Sequence, residues 1–214
     1  HETVHKTPFA TEWLNEAVMH VCGFLVILPP EHFRYFHLAH HRYTNDPEKD
    51  PELADAKASN LLVYLWRITG IPIWREHIGQ VLRNTAGWAQ DDFLPEGRKP
   101  RIRLEARVML ALYVVVVLLL AQGQTWLFWC WLGPALLGQP FLRLYLMAEH
   151  GRCPPVANML ENTRTTFTNR LIRRLAWNMP YHAEHRAGPM APFHKRPEFH
   201  EIAKTHPKNT SHGS

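Results

Sequence analysis

The sequence predicts an all-α integral membrane protein, and three observations lead to that prediction. Apolar residues are concentrated in two stretches, residues 104–121 and 125–142. Each stretch is close to the ~20 residues that a helix needs to cross a bilayer. Histidine is in excess, with 15 copies among 214 residues, and every copy lies outside these two stretches. We therefore expect one transmembrane hairpin, together with interfacial helices and a cytoplasmic, histidine-rich helical cap.

Two amphipathic segments precede the predicted hairpin. Residues 13–28 are mostly apolar but include polar residues and stop at Pro29, so we interpret them as a helix that dips into the interface or lies along it. Residues 61–83 alternate apolar runs with arginine and tryptophan, a composition typical of a membrane interface. His20 and His32 stand apart from the other histidines, and we expect structural roles for both.

A cluster of three histidines lies between these segments. His37, His40 and His41 are spaced i, i+3, i+4, so on a helix their imidazoles project from one face. Neutral imidazole is the commonest metal ligand in proteins, and the cluster therefore predicts a metal site. The segment that follows contains Asp46 and Asp50 between prolines. The first interpretation of these carboxylates is a turn with helix caps; the alternative is that one of them orients a ligand histidine.

Two further histidine pairs lie near the ends of the chain. His1 and His5 are i, i+4 partners, and His182 and His185 are i, i+3 partners. The first pair also fits H-E-x-x-H, in which two histidines bind zinc and Glu2 acts as base, so an intramembrane zinc protease is an open alternative. The three cysteines form no C-x-x-C, which argues against a disulfide framework and against a cysteine zinc site.

The charges around the predicted hairpin indicate its orientation. The turn at residues 122–124 is uncharged, whereas basic residues flank both ends of the hairpin. By the positive-inside rule, both flanks lie in the cytoplasm and the turn lies on the opposite side. The histidines before residue 42 and those after residue 149 would then share the cytoplasmic side. The flanking basic residues are Arg98, Lys99, Arg101, Arg103, Arg107, Arg143 and Arg152.

Taken in order, the chain contains HxxxH, HxxHH, a membrane hairpin, a lone histidine and HxxH. This order resembles the membrane-bound fatty acid desaturase family, whose members hold two irons in three histidine boxes. Residues 44–51, 178–185 and 192–197 are also similar to that family. The resemblance covers nearly the whole chain and identifies it as an N-terminally truncated member whose upstream transmembrane hairpin is missing. It implies a single domain over residues 1–204 and a disordered tail over residues 205–214.

The resemblance also implies which residues bind iron. The third box usually reads HxxHH, but here Arg186 stands at its last position. Because arginine is always protonated, it cannot be a ligand, so one iron would lose a ligand unless water, His194 or His200 replaced it. The implied ligands are His1, His5, His37, His40, His41, His150, His182 and His185. The residues that would orient them are Asp46, Asp50, Asn178 and Glu184.

The chemistry of the family implies an activity. Two non-haem iron ions, with O2 as co-substrate, would oxidise an unactivated C–H bond of a lipid acyl chain, and desaturation is the expected reaction. An external electron donor, a ferredoxin or a cytochrome b5-like protein, is implied, and no nucleic-acid partner is expected. The same pattern also allows a hydroxylase or ketolase acting on an alkyl chain, a sterol or a carotenoid, or an inactive descendant. Basic residues that would dock an acidic donor, or contact lipid headgroups, are Arg164, Arg170, Arg173 and Arg174.

Overall fold

The structure is a computed structural model that describes residues 1–44, 46–54, 60–150, 153, 154, 156, 158–205 and 210–212. Most of these residues are helical, which confirms the predicted helical class. The α-helices are α1 (Glu12–Leu25), α2 (Pro30–Tyr43), α3 (Leu61–Ile68), α4 (Ile71–Ala86), α5 (Lys99–Ala121), α6 (Gly133–His150), α7 (Met159–Asn162), α8 (Arg170–Leu175), α9 (His182–Ala187) and α10 (Arg196–Ala203). Short 3-10 helices cover Glu2–His5, Pro51–Ala54, Glu96–Arg98 and Phe193–Lys195, and a π-helix covers Phe128–Leu132. Two short strands, β1 (Thr165–Phe167) and β2 (Thr210–His212), pair in parallel.

The chain divides into two compact units. Unit 1 consists of His1–Val18, His40–Ala54 and Leu144–Ser214, and unit 2 consists of Met19–Ala39 and Asp55–Arg143. The helices α1 and α2 therefore contribute residues to each unit. The residues of the predicted single domain, 1–204, are distributed over both.

Unit 2 is organised around the packing of α4 against α5. Ile102, Ala106 and Met109 recur at helical spacing on one face of α5, and all three are buried. Other faces of the same helix expose large apolar side chains, including Leu104 and Val108. A long row of exposed apolar residues is unusual for a helix in water and typical of a helix in lipid. The composition of α5 thus agrees with the first predicted span.

The predicted second arm of the hairpin, residues 125–142, differs from the first. The segment Glu96–Ala121 is the only single helix of the described residues that is long and apolar enough to cross a membrane. The second arm passes instead through the π-helix Phe128–Leu132 and into α6, which contains Pro140. Proline removes a backbone hydrogen bond and bends a helix, so this arm is not one regular span. The hairpin and its orientation therefore stay predictions.

The predicted interfacial segment, residues 13–28, corresponds to α1 and the break that follows it. The helices α1 and α2 are bent by 102° at this break, and together they form either a broken span or a re-entrant loop. The last carbonyls of α1 are satisfied within unit 2, because Tyr113 donates to the oxygen of Phe24 and Trp131 donates to that of Leu25, both at 2.8 Å. The position of α1 at an interface stays a prediction.

Unit 1 is assembled from short elements joined by backbone hydrogen bonds. Thr165 of β1 forms a bridge with Tyr181, the residue that precedes α9. This contact anchors the start of α9, whose residues from His182 to Arg186 are all buried. Of the tail predicted to be disordered, residues 205–214, the structure describes Thr205 and the strand β2, which pairs with β1.

Candidate metal centre

Three histidines from opposite ends of the sequence converge in unit 1. Ring nitrogens of His1, His5 and His185 all lie within 4.8 Å of one another. Nε2 of His1 lies 2.9 Å from Nε2 of His185. Two imidazoles that bind one metal ion at about 2.1 Å, at right angles to each other, place their nitrogens about 3 Å apart. The observed spacing therefore suits two ligands of a shared ion.

His41 packs against two of these rings, those of His5 and His185, and the four residues are termed the histidine cluster (His1, His5, His41 and His185). The ring centroid of His41 lies 4.9 Å from that of His5 and 5.0 Å from that of His185. Local structure positions each member: His1 and His5 flank a single 3-10 turn, His41 lies in the last turn of α2, and His185 lies in α9. His5 and His185 are buried, His41 is half-buried and His1 is exposed.

Arg196 determines the protonation of His185. The guanidinium of Arg196 is fully buried and lies 2.7 Å from Nδ1 of His185. Because a guanidinium can only donate, Nδ1 accepts, and the proton of the neutral ring lies on Nε2, facing Nε2 of His1. Glu2 forms an ion pair with the same guanidinium. The positive charge of Arg196 is therefore compensated beside the cluster.

Burial keeps the imidazoles of the histidine cluster neutral. Burial and the positive charge of Arg196 lower the pKa of His5 to about 4. Burial and the positive charge of Arg186 lower the pKa of His41 to about 2. Burial also lowers the pKa of His185 far below its usual range. A histidine ligand must be neutral, so the cluster carries the ligand form at neutral and mildly acidic pH.

A second set of ligand atoms, termed the acidic group (His40, Asp50 and Glu52), also lies in unit 1. Asp50 lies 2.9 Å from Nδ1 of His40, and Glu52 lies 2.6 Å from Nε2 of the same ring. Burial lowers the pKa of His40, but the hydrogen bonds with Asp50 and Glu52 outweigh it and raise the pKa on balance. Carboxylates on both sides of His40 thus favour its protonated form, unlike the rings of the histidine cluster.

Glu149 is a largely buried carboxyl group beside His182. Its Oε2 lies 3.8 Å from Nδ1 of His182, and its Oε1 has no hydrogen-bond partner among the described residues. Burial and the negative charge of Glu52 raise the pKa of Glu149 to about 8. A buried polar atom without a partner requires an explanation, and a bound ion or water supplies one.

Arg186 is almost completely buried next to both groups. Its Nη2 lies 3.4 Å from the backbone oxygen of His40, whereas Nε and Nη1 have no hydrogen-bond partner within the part of the chain that the structure describes. Burial lowers the pKa of Arg186 to about 10, although Glu52 and Asp50 act to raise it. The guanidinium is therefore a cation at neutral pH.

The two named groups do not include three of the predicted ligands, His37, His150 and His182. His37 lies in unit 2, where it is buried in α2 and its ring stacks on that of Phe33 with centroids 5.6 Å apart. The side chain of His150 lies outside the described residues. The assignment of all eight histidines as iron ligands stays a sequence prediction.

The four residues predicted to orient the ligands make different contacts. Asp50 contacts His40 and also accepts a hydrogen bond from a backbone N–H two residues later, so it both orients a histidine and forms a turn. Asp46 accepts from the backbone N–H of Glu48, whereas Asn178 donates to the backbone oxygen of Phe193. Glu184 contacts two side chains outside the histidine cluster and the acidic group.

Sequence reasoning does not identify Arg196, Glu52 or Glu149 as part of the site. Arg196 lies in a basic, proline-containing segment, and its partners Glu2 and His185 are 194 and 11 residues away. No local spacing connects these three residues. The alternation of Asp50 and Glu52 in one acidic segment is the signal that indicates Glu52.

The donor set of the histidine cluster indicates which ions suit it. Imidazole ligands suit zinc, copper, iron and nickel, whereas carboxylate and carbonyl oxygens suit magnesium and calcium. A zinc protease would need Glu2 as a free base, but Glu2 forms an ion pair with Arg196. The residues of the cluster therefore fit a transition-metal ion held by neutral histidines.

Comparison with known proteins adds one match. A family model described as "Fatty acid desaturase" matches residues 1–212 of the chain. A search of curated proteins gave no match. The matched region contains the entire histidine cluster and the acidic group, so the match does not depend on a single histidine box.

Proposed function

The chain belongs to the fatty acid desaturase family, and on that premise we propose that it oxidises an unactivated C–H bond of a lipid acyl chain, with desaturation as the reaction. The family implies an oxidoreductase of lipid metabolism that is associated with membranes. The observation that carries the proposal is the convergence of the histidine cluster. Its members come from the start of the chain, the end of α2 and α9, yet their rings pack against one another.

The histidine cluster is the proposed place of a non-haem iron ion. Desaturases are known for two such ions, and bound iron activates O2, which no amino-acid side chain can do. The chain's own residues prepare the ligands. The neutral ring of His185 carries its proton on Nε2 and accepts from Arg196 at Nδ1, so it would bind an ion through Nε2 only if the contact with Arg196 opened and the proton moved to Nδ1.

The acyl substrate would reach the site from the bilayer. The exposed apolar side chains of α5 supply a lipid-facing surface, and residues 13–28 and 125–142 are mostly apolar. We propose that these segments hold the acyl chain, that the chain is a multi-pass membrane protein, and that the metal site lies on the cytoplasmic side. Burial of His5 and His185 excludes water from the reacting position.

An external electron donor, ferredoxin or cytochrome b5-like, is proposed to dock on the basic surface around α8. Arg170 and Arg174 are exposed there, whereas Arg173 donates to the hydroxyl of Tyr181 at 2.9 Å and is less available. An acidic donor would be attracted to this surface, and so would anionic lipid headgroups. Replacement of Arg170 and Arg174 by glutamine would slow electron transfer in the first case and weaken membrane binding in the second.

The test is lipid profiling of cells that express the full-length protein. Acyl chains that have lost two hydrogens indicate desaturation, and acyl chains that have gained one oxygen indicate hydroxylation. His185→Ala is the inactive control, and His32→Ala, in unit 2, is the matched control that should keep activity. Unchanged acyl chains despite iron-loaded, folded protein would refute the proposal and favour an inactive descendant.

A further inference from the structure

A buried cation, Arg186, stands at the last position of the third box, where the family resemblance implies a histidine. Arg186 follows His185 directly in α9 and is 2% exposed. Two carboxylates, Asp50 and Glu52, interact electrostatically with its guanidinium. Arginine carries a permanent charge and offers no lone pair, so it cannot bind a metal ion. The carboxylates that would balance a second ion therefore already balance Arg186.

The imidazole of the acidic group, that of His40, already contacts two carboxylates. Both ring nitrogens of His40 lie within hydrogen-bond distance of a carboxylate, Asp50 at 2.9 Å and Glu52 at 2.6 Å. A metal ion could bind His40 only if one of these contacts was broken. In the histidine cluster, the contact at Nε2 of His185 is instead with another imidazole, because Nε2 of His1 lies 2.9 Å away. The two groups thus differ in the charge of the partner that a metal ion would displace: a carboxylate at His40 and a neutral ring at His185.

Electrostatics further separates the two groups. A divalent ion at the acidic group would share a poorly screened interior with the guanidinium of Arg186, and like charges repel strongly there. The cation nearest the histidine cluster, Arg196, is paired with Glu2. An ion at the acidic group would therefore have to share Asp50 and Glu52 with the guanidinium of Arg186.

We infer that the guanidinium of Arg186 takes the place of one of two metal cations, so that this chain binds a single iron ion, held by the histidine cluster. This inference rests on the proposed iron site and specifies its stoichiometry. Asp50 and Glu52 then balance the charge of Arg186 rather than that of a metal ion.

Iron stoichiometry of the full-length protein, reconstituted with ferrous iron without oxygen, tests the inference. We expect one iron per chain in the unaltered protein and in Arg186→Lys, which keeps the cation. Arg186→His removes the charge and supplies a ligand, so its iron content should rise about twofold. Arg174→His, on the exposed surface of α8, controls for the mere addition of a histidine and should leave one iron per chain.

A spectroscopic measurement keeps the test decisive if Arg186→His does not fold. The nitric oxide complex of an isolated ferrous ion gives a half-integer-spin resonance, which a coupled iron pair alters or removes. An isolated-ion spectrum supports the inference. Two irons per chain, or a coupled spectrum, in the unaltered protein overturns it but leaves the proposed oxidation standing. Absence of bound iron from the protein and all three variants would overturn both, whereas one iron without lipid oxidation would refute the proposed function alone.

Discussion

His20 and His32 of unit 2 are held differently from the histidine cluster of unit 1. In unit 2, His32 lies 3.0 Å from Asp91, and His20 lies 3.1 Å from Glu105. In unit 1, the rings of the histidine cluster pack against one another. A neighbouring carboxylate favours a protonated imidazole, whereas burial among other imidazoles favours the neutral ring. The second arrangement provides the neutral nitrogens that a metal ion requires, and the first one joins helices.

His40 shows that the surroundings of a histidine, and not the motif it belongs to, decide whether its ring is held by carboxylates or stays neutral. It belongs to unit 1 and to the central HxxHH pattern, as its neighbour His41 does. Nevertheless, its contacts with Asp50 and Glu52 resemble those of the unit 2 histidines. Membership of a histidine box therefore does not by itself make a residue an equivalent ligand.

The largest expected effect is the loss of iron when a ring of the histidine cluster is removed. His185→Ala removes a ring from the histidine cluster, and we expect iron affinity to fall by at least about 100-fold. His32→Ala removes a histidine that contacts a carboxylate, Asp91, and it should leave iron content unchanged. Iron analysis of both purified variants measures the difference. Equal iron loss in the two variants would contradict the assignment of the metal to unit 1.

The ion pair beside the cluster should matter for folding. Arg196→Met leaves Glu2 buried without its partner, so we expect the free energy of unfolding to fall by about 3–5 kcal/mol. The double variant with Glu2→Gln removes both charges and should recover part of that loss. Thermal unfolding in detergent measures both. If the single variant were as stable as the unaltered protein, the pair would not support the cluster.

The two units should also differ in pH dependence when metal is absent. His5 and His41 have pKa values of about 4 and about 2 in the folded protein, below the ordinary value of 6.5. As pH falls below 6.5, the unfolded chain gains protons before the folded one. The contribution of these histidines to the free energy of unfolding is therefore fully present above that pH and is lost as pH decreases. Between about pH 7 and about pH 5 we expect a loss of about 2–4 kcal/mol. Unfolding curves across this range measure it.

Matched variants identify the source of that pH dependence. His41→Gln should reduce the slope of stability against pH by about a third, because the rings of His5 and His185, whose pKa values burial also lowers, remain. Asp91→Asn should leave the slope unchanged in this range. The hydrogen bond with His32 lowers the pKa of Asp91 from 3.8, so its contribution is present above that value and is lost only in stronger acid. A slope unaffected by His41→Gln would place the titrating groups elsewhere.

The smallest effect concerns the two aspartates of the acidic segment. Asp50→Asn weakens a buried, charged hydrogen bond with His40, and we expect a loss of about 1.5–3 kcal/mol in unfolding free energy. Asp46→Asn affects only a turn contact with the backbone of Glu48 and should cost about 0.5 kcal/mol or less. Chemical denaturation of the two variants compares them. Equal losses would mean that the contact with His40 adds nothing.

Much of the fold was accessible from the sequence because the relevant patterns are local. The spacing of His37, His40 and His41 predicts a helix, and these residues lie in α2. The apolar run before residue 122 predicts a spanning helix, and α5 has the length and composition for one. The run at residues 125–142 has similar composition, but the π-helix and Pro140 interrupt it. Average composition does not reveal such interruptions.

By itself, the sequence determined the histidine-box order, the helical class and the presence of Arg186 in the third box, because all three depend on neighbouring positions. Tertiary structure alone decided that Arg196 binds Glu2 and His185, and that His40 lies between two carboxylates. These contacts join residues that no local spacing relates. Since charge and burial depend on such distant partners, the fold decides which histidines are neutral and therefore which can hold a metal ion.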